Sequence, residues 1–470
     1  MGAEGQLRDT GSAGHDTINT RVIPVVFVPG VMGSRLSIDN SPSWDPDNSK
    51  TMGRWVGTST GEVRRRINFQ TSANVLTGLD SSIFEVDPIE DMFNVKRVRD
   101  IGTKGVIHTD FTTKEIMKPF WEKRGWGGLA WSFYGAILMD LVVGLNPGKR
   151  QTSEIRPIYA CGYDWRQSCG NSAKTLIACI DRALADHKAE QVVIVTHSMG
   201  GLVTRAALTQ GATSKIAGVV HCVIPADGAV VAYRRFFTGA TSALGETEFG
   251  LRNILGDSPE EYFEVQSGAQ GPIELLPHDS YPDAWLFGNF GTNRTESDIF
   301  TRYADDFPPG LIQPTHPFAN DVRARLRTAR TFTRSVAGVF HPNTCLLRGN
   351  QTQTDMSFDW RRRPPPAPAP APGTNPPSPA PPSGPPAPTP SGPPPPPHLD
   401  GENPVDADVC IPLADRSALG DETVPGPSAE FRACKSIAST PFNVTHSKCF
   451  LDKDFRKATI DNVKAILARA

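Results

Sequence analysis

The sequence predicts an α/β fold, in which a mostly parallel sheet carries helices on both faces. Short apolar runs typical of buried strands alternate along the chain with segments of helical periodicity, and this alternation is typical of βαβ units. Strands are predicted at residues 23–28, 158–160, 191–195 and 219–224. Helices are predicted at residues 172–187 and 201–210, the first with its apolar residues on one face.

The chain of 470 residues is long enough for one large domain with insertions. Residues 364–397 hold 20 prolines in 34 positions, and such a composition cannot form a core. Candidate functional residues lie on both sides, so we interpret this tract as a disordered insertion and not as an interdomain linker. The predicted organisation is a disordered N-terminal segment (1–21), the first part of the core (22–228), a cap or lid insertion (229–330), a core strand (331–346, with its apolar run at 335–340), a loop with the proline tract (347–419) and the C-terminal part of the core (420–470).

Charge and composition exclude several classes of protein. Lysine and arginine total 48 against 50 acidic residues, so a net charge of -2 argues against nucleic acid or an anionic membrane held by bulk electrostatics. The sequence has no apolar run long enough for a membrane span and no secretory signal peptide. We therefore expect the protein to be cytoplasmic or delivered by a signal-independent secretion system. The eight cysteines form no C-x-x-C pair, and no metal or organic cofactor is predicted.

Ser198 is the candidate nucleophile. It lies three residues after the end of the apolar run at 192–195, and two glycines and a helical pattern follow Met199. This strand-turn-helix setting is that of a nucleophile elbow, which exposes the serine oxygen and needs small neighbours for close packing. The match departs from G-x-S-x-G at one position, because Thr196 stands where glycine is usual.

A serine needs a base to take its proton and an acid to orient that base. Asp421, in a loop sequence Gly-Asp-Glu-Thr-Val-Pro, is the favoured acid, and His446 is the favoured base. The order Ser, Asp, His is that of α/β-hydrolases. His197, next to the nucleophile, is interpreted as a packed or pocket-lining residue. The alternative acids are Asp227, Asp415, Glu422 and Asp452.

Acyl transfer also needs backbone N–H donors for the oxyanion. These are normally the amide after the nucleophile and one from the loop after an early strand. Here the predicted donors are Met199 and Val31, the latter because it follows Pro29 and Gly30 at the end of the first predicted strand.

These residues resemble the lecithin:cholesterol acyltransferase family of α/β-hydrolases, including its bacterial lipase-like and phospholipase-like members. The resemblance implies that Ser198, Asp421 and His446 are a catalytic triad, that Val31 and Met199 are oxyanion donors, and that residues 229–330 cap the acyl site. The chain departs from the family pattern at Thr196, at Glu422 and in its proline tract. The resemblance rests on the segments FVPGVMGSRL (27–36), WDP (44–46), YDWR (163–166), THSMGG (196–201), GPIELLP (271–277) and GDETVP (420–425), together with His446.

Two aromatic motifs are given structural interpretations. In YDWR, Tyr163 and Trp165 are expected in the core, while Asp164 and Arg166 fix a loop near the pocket. The tryptophans of the segment 125–134 could contact lipid, but aromatic residues at helical spacing more often lie in a core.

The sequence thus predicts a serine-dependent hydrolase of carboxylic esters, a lipase or phospholipase acting on lipid or other hydrophobic esters with transient contact to a membrane surface. One alternative is a lipid acyltransferase that uses the same triad. A second, from another class, is a catalytically weak scaffold whose proline tract binds a protein partner in an SH3-like or WW-like groove. No nucleic-acid partner is expected.

Overall fold

A computed structural model describes residues 21–39, 41–68, 73–76, 122–146, 154–240, 254–277, 280–281, 285–288, 317–350, 352–361, 409–412, 417–429 and 439–470. The proline tract 364–397 and residues 1–20 of the predicted disordered segment 1–21 lie outside these residues, whereas Arg21, predicted to be disordered, begins a strand. The strands are β1 (Arg21–Val22), β2 (Val25–Val28), β3 (Leu36–Ile38), β4 (Ser41–Trp44), β5 (Asn74–Val75), β6 (Glu154–Ile155), β7 (Ile158–Ala160), β8 (Val192–His197), β9 (Ile216–Cys222), β10 (Leu286–Gly288), β11 (Thr344–Gly349), β12 (Thr352–Asp355), β13 (Phe358–Arg361), β14 (Val409–Pro412), β15 (Ser417–Gly420) and β16 (Ser439–Phe442).

The α-helices are α1 (Ser49–Gly53), α2 (Thr60–Ile67), α3 (Trp131–Leu145), α4 (Cys169–His187), α5 (Gly200–Ala207), α6 (Val230–Thr238), α7 (Pro259–Gln266), α8 (Ala319–Val336), α9 (Gly426–Ala429) and α10 (Lys453–Leu467). Short 3-10 turns at Trp126–Gly128, Gly271–Leu275 and Cys449–Leu451 separate some of them. Among the described residues, no helix is both long enough and apolar enough to cross a membrane.

A six-stranded sheet forms the centre of the described structure. Its order is β16-β11-β9-β8-β2-β7, and every pair of neighbours is parallel. The residues of β2, β8 and β9 are all buried, as expected for strands covered on both faces. The predicted α/β class with a parallel sheet is confirmed.

Helices cover both faces of this sheet. On one face, α4 and α5 bring residues such as Leu176 and Val203 onto Val26 and Ile194. On the other face, α3 and α10 cover the alternate residues of the same strands. Their contribution to that second core includes Ile137, Leu141, Val463 and Ile466.

The region predicted as a cap forms an apolar cluster of its own. Side chains of α6, α7 and α8 pack together, and the rings of Tyr233 and Trp285 meet edge to face with centroids 5.1 Å apart. Residues 241–253 and 289–316 of this region lie outside the described residues. Its action as a lid remains a prediction.

The strand predicted at 335–340 is wrong. Helix α8 extends to Val336, and the strand β11 begins only at Thr344. The apolar side chains of Phe332 and Val336 belong to the helical face that packs on the core, so their pattern has helical and not strand periodicity. Gly338, with φ of 69°, turns the chain after the helix.

Arg205 joins α5, the helix that follows Ser198, to this turn. Its guanidinium donates hydrogen bonds to the carbonyls of Ala226 (2.6 Å), Val336 (2.5 Å) and Val339 (3.1 Å). The side chain is buried, so it supplies donors to carbonyls that water cannot reach.

The described residues just before and just after the proline tract are neighbours in one small sheet. Strands β13 and β14 are antiparallel neighbours, and Arg361 is paired with Val409. The residues between them therefore start and finish at adjacent positions of one small sheet.

Tyr163, Trp165 and the two tryptophans of the segment 125–134 lie in the core as predicted, whereas Phe133 of that segment is exposed. Trp126 and Trp131 are buried, so they are not a lipid-contacting surface. The hydroxyl of Tyr163 donates to the carbonyl of Pro29 at 2.8 Å. Arg166 makes two hydrogen bonds of 2.7 Å to Asp164 and a third, of 2.9 Å, to the carbonyl of Arg66.

Candidate active site

Ser198 stands at a sharp turn between β8 and α5. Its φ of 50° is left-handed, and its amide donates to the carbonyl of Cys222 at 3.0 Å. The following glycines allow the close approach that this turn requires. A Cβ at Gly200 would lie 2.5 Å from the carbonyl oxygen of Pro29, and one at Gly201 would lie 2.3 Å from the side chain of Ile224. The predicted strand-turn-helix geometry is therefore present.

Thr196 fits the elbow because its hydroxyl has a partner. The side chain is completely buried, and its Oγ1 lies 2.9 Å from Nδ1 of His221 on the neighbouring strand. A buried hydroxyl without a partner would be unfavourable, so this contact explains how a larger residue occupies the usual glycine position.

Ser198, His446 and Asp421 lie in one hydrogen-bonded row. Nε2 of His446 is 2.8 Å from Oγ of Ser198, and Nδ1 of the same ring is 2.8 Å from Oδ2 of Asp421. The His446 backbone N–H also donates to the Asp421 carbonyl at 2.9 Å, which fixes the two loops to each other. The structure thus brings together the three residues that the sequence singled out.

The Asp421 carboxylate is held in place by its own loop. Only 1% of the residue is exposed, and Oδ1 accepts hydrogen bonds from the amides of Val424 (2.6 Å) and Thr423 (3.1 Å). These donors leave Oδ2 for the histidine. Because Oδ2 lies against the imidazole, the row has the arrangement of an orienting acid, a base and a nucleophile.

The alternative acids have other surroundings. Asp452 caps the N-terminus of α10 by accepting from the amide of Phe455 at 2.8 Å. Glu422 is exposed, and Asp227 lies near the guanidinium of Arg205. Asp415 is outside the described residues.

The two predicted oxyanion donors flank Ser198. Met199 is the next residue, and Val31 belongs to the loop 29–33 that follows β2. A Cβ added to Gly30 would lie 3.1 Å from Cβ of Ser198, so this loop passes directly beside the serine. Neither the Val31 nor the Met199 amide donates a hydrogen bond to another described residue.

His197 and Tyr134 contact each other, and His197 also contacts the backbone of His446. Nδ1 of His197 is 2.9 Å from the hydroxyl of Tyr134, and its Nε2 is 3.1 Å from the carbonyl oxygen of His446. Burial, and secondarily the positive charge of His446, lowers the pKa of His197 to about 3. The sequence predicted a packed role for His197 but did not single out Tyr134, which no motif connects to the site.

Comparison with known proteins supports this architecture. Residues 150–278 match the family model described as lecithin:cholesterol acyltransferase. A chain of the solved structure titled "The crystal structure of Tle4-Tli4 complex" superimposes with a TM-score of 0.69, at 17% sequence identity, over 95% of this chain and 99% of its own length. This protein has an α/β-hydrolase fold, and its residues 150–278 are similar to the lecithin:cholesterol acyltransferase family. A search of curated protein sequences finds no match.

The resemblance and the fold class predicted from the sequence are confirmed. In general terms, the family match supports a lipid ester hydrolase or acyltransferase. The matched region contains three of the quoted motifs, YDWR, THSMGG and GPIELLP, but it ends before Asp421 and His446. Among the described residues of this α/β-hydrolase, no group of three or more His, Cys, Asp or Glu side chains is arranged to hold a metal ion.

Proposed function

We propose that this α/β-hydrolase is a serine-dependent carboxylic ester hydrolase acting on lipid esters, a lipase or phospholipase, through an acyl-enzyme. The proposal rests on the continuous row of hydrogen bonds from Asp421 through His446 to Ser198, with two contacts of 2.8 Å. Each contact is within the distance at which a proton can be transferred or an imidazole oriented.

In the first half of the reaction, Ser198 attacks the ester carbonyl while Nε2 of His446 takes the hydroxyl proton. The Asp421 carboxylate keeps the proton of the resting imidazole on Nδ1 and stabilises the imidazolium that forms. The oxyanion of the tetrahedral intermediate accepts hydrogen bonds from the amides of Val31 and Met199. His446 then returns its proton to the leaving alcohol, and the acyl group stays on Ser198.

In the second half, water enters and His446 removes a proton from it. The resulting hydroxide attacks the acyl-enzyme, the same amides bind the second oxyanion, and the proton returns to Ser198 as free fatty acid leaves. The base and the donors therefore act twice in one cycle, so a defect in either should slow both halves.

The matched family supports a lipid as the substrate class. We infer that a lipid surface presents this substrate. We expect activity on a long-chain glycerophospholipid to be higher in vesicles or mixed micelles than on a dispersed short-chain ester. Activity confined to short water-soluble esters, without a response to the lipid surface, would reject the lipase assignment.

Acyl transfer is the second candidate, because the matched family is described by its acyltransferase activity. Hydrolysis and transfer share the acyl-enzyme and differ only in the group that attacks it. We expect mainly free fatty acid when a lipophilic alcohol or sterol is added. Predominant ester formation at modest alcohol concentration would establish the acyltransferase instead.

Replacement of the nucleophile tests the proposal. Ser198→Ala should reduce turnover on the order of 10⁶-fold, because it removes the attacking oxygen and little packing volume. A fluorophosphonate probe should label the wild type but not this variant. If purified, folded Ser198→Ala keeps more than a few per cent of the activity, the chain does not use this serine. If the wild type is neither labelled nor active, the non-catalytic scaffold becomes the better interpretation.

A further inference from the structure

We propose that Tyr134 and His197 are positioning residues that fix the oxyanion loop, residues 29–33, relative to the loop that carries His446. This inference rests on the proposed function, because it assigns these residues a part in the same reaction. Neither residue touches the reacting atoms. Both act through the backbone groups that they hold.

The connection is a continuous series of hydrogen bonds. The amide of Gly30 donates to the hydroxyl of Tyr134 at 3.1 Å. That hydroxyl lies 2.9 Å from Nδ1 of His197, whose Nε2 lies 3.1 Å from the carbonyl oxygen of His446. The series therefore begins one residue before the predicted donor Val31 and ends on the backbone of the predicted base.

The two ends of the series decide where each proton lies. A backbone amide can only donate and a backbone carbonyl can only accept. The His446 carbonyl can only accept, so the proton of the neutral His197 imidazole is on Nε2 and donates to that carbonyl. Nδ1 then carries no proton and accepts from the hydroxyl of Tyr134, whose oxygen accepts from the amide of Gly30. The opposite tautomer would direct the Nε2 lone pair at that carbonyl oxygen, which is repulsive.

Burial keeps both side chains in these forms. Tyr134 is 3% exposed and His197 is 7% exposed, and burial raises the pKa of Tyr134 while it lowers that of His197 to about 3. Neither group changes its charge near neutral pH. A positive charge on His446 disfavours a second one on His197, so His197 should stay neutral when the His446 imidazolium forms.

Close packing leaves little freedom for this arrangement to shift. A Cβ at Gly33 would lie 2.5 Å from the Tyr134 hydroxyl, and one at Gly30 would lie 2.8 Å from Nδ1 of His197. The ring of Phe450 also packs against His197, with centroids 5.5 Å apart. A change in the position of the Tyr134 hydroxyl should therefore move the loop 29–33.

Removal of that hydroxyl is the direct test. Tyr134→Phe leaves the Gly30 amide and Nδ1 of His197 without their partner in a buried region. We expect kcat on a soluble ester to fall about 10- to 100-fold with KM changed less than about threefold, because displacement of a group by about 1 Å reduces rates by this order. The matched control is Tyr159→Phe, which also removes the hydroxyl of a buried tyrosine, one that bonds to Asp186 at 2.8 Å. We expect its kcat to stay within about twofold of the wild type.

Three outcomes would overturn the inference. The first is a folded Tyr134→Phe with wild-type kcat, and the second is an equal fall in kcat in Tyr134→Phe and Tyr159→Phe. The third outcome is measured in the wild type, so it does not depend on whether either variant folds. Histidine ¹⁵N chemical shifts near neutral pH should show His197 neutral with its proton on Nε2, and a proton on Nδ1 or a charged ring would contradict the series.

Ser198→Ala, measured in parallel, distinguishes the two proposals. An active Ser198→Ala rejects the proposed function, whereas an inactive one beside a fully active Tyr134→Phe rejects only the positioning role.

Discussion

Ser198 occupies a conformation that a serine adopts at an energetic cost. A φ of 50° places Cβ close to the following carbonyl, and such positions cost roughly 1–3 kcal/mol for residues other than glycine. Glycine would avoid this strain but has no hydroxyl. The conformation persists because the Ser198 amide bonds to Cys222 and its carbonyl accepts from the amide of Gly201. The hydrogen bonds of the Ser198 amide and carbonyl therefore offset this strain.

Asp421 and Asp227 can be distinguished by matched substitutions. Asp421→Asn should reduce turnover by about 10⁴-fold, because an amide in place of Oδ2 favours the wrong histidine tautomer, as in serine proteases. Asp227→Asn should be much milder, since the contact with His446 is made by Asp421. Steady-state kinetics on a soluble ester gives both values. The reverse ranking would assign the acid to Asp227, and equal mild losses would direct attention to Glu422.

Glu274 should make the stability of the protein depend on pH. Its carboxyl is 1% exposed, it accepts from the amide of Cys169 at 2.7 Å, and burial raises its pKa to about 7. The folded protein thus binds this proton more tightly than the unfolded chain, in which the pKa is near 4.5. The free energy of unfolding should fall as the pH rises between these two values, by up to about 3 kcal/mol.

The variant Glu274→Gln should lack this dependence. We expect its melting temperature to exceed that of the wild type at pH 8 and the difference to shrink or reverse near pH 5. The control is Glu260→Gln, at an exposed position of α7, whose melting temperature should follow the wild type at both values. Parallel pH profiles for Glu274→Gln and the wild type would show that this carboxyl does not titrate in the expected range.

At the scale of elements, the sequence predicted where the central strands lie, but it predicted their first and last residues less accurately. The predicted strand at 158–160 agrees with β7, whereas those at 191–195 and 219–224 are displaced by one to three residues at their boundaries from β8 and β9. Apolar runs show where a strand is buried, but its ends depend on pairing with neighbours that are distant in the chain. The strand predicted at 335–340 failed for another reason, because a short apolar run does not distinguish the last turn of a helix from a strand.

Arg205 should be essential for the junction of α5 and α8. Arg205→Lys removes the forked guanidinium, and a single ammonium group cannot reach three carbonyls that the arginine satisfies together. We expect a loss of about 2–4 kcal/mol in the free energy of unfolding. Urea denaturation measures this loss against Arg334→Lys, a control at an exposed position of α8. Equal stability of the two variants would show that the three contacts contribute little.

At the scale of the whole molecule, the site was predicted from local sequence signals and from the order Ser, Asp, His along the chain. An apolar strand leading to Ser198 and a polar loop with Asp421 are local signals, so a sequence can show them. Tyr134 has no such signal, because its partner Gly30 is 104 positions away and the contact depends on how α3 packs against the sheet. Residues that act through long-range contacts of this kind are visible only in the folded chain.

The proline tract should be replaceable as a unit. Because Arg361 and Val409 are paired neighbours, substitution of residues 364–397 by a short Gly-Ser loop leaves both ends where they are. We expect melting temperature and activity on a soluble ester to be preserved, since loop-closure entropy changes by only about 0.6 kcal/mol per halving of length. Differential scanning calorimetry and ester assays measure both. Failure of the shortened chain to fold would show that the tract is not a simple insertion.

Because β13 pairs with β14, hydrogen bonds as well as the covalent chain join the part of the protein before the tract to the part after it. The fragment before a cut would carry Ser198, and the fragment after it would carry Asp421 and His446. The later fragment would contribute β16 to the central sheet, where it pairs with β11, and α10 to one of its faces. We expect two separately expressed polypeptides divided within the tract to reconstitute the candidate site by association, and, if the proposed function holds, this division point would suit a split-enzyme reporter.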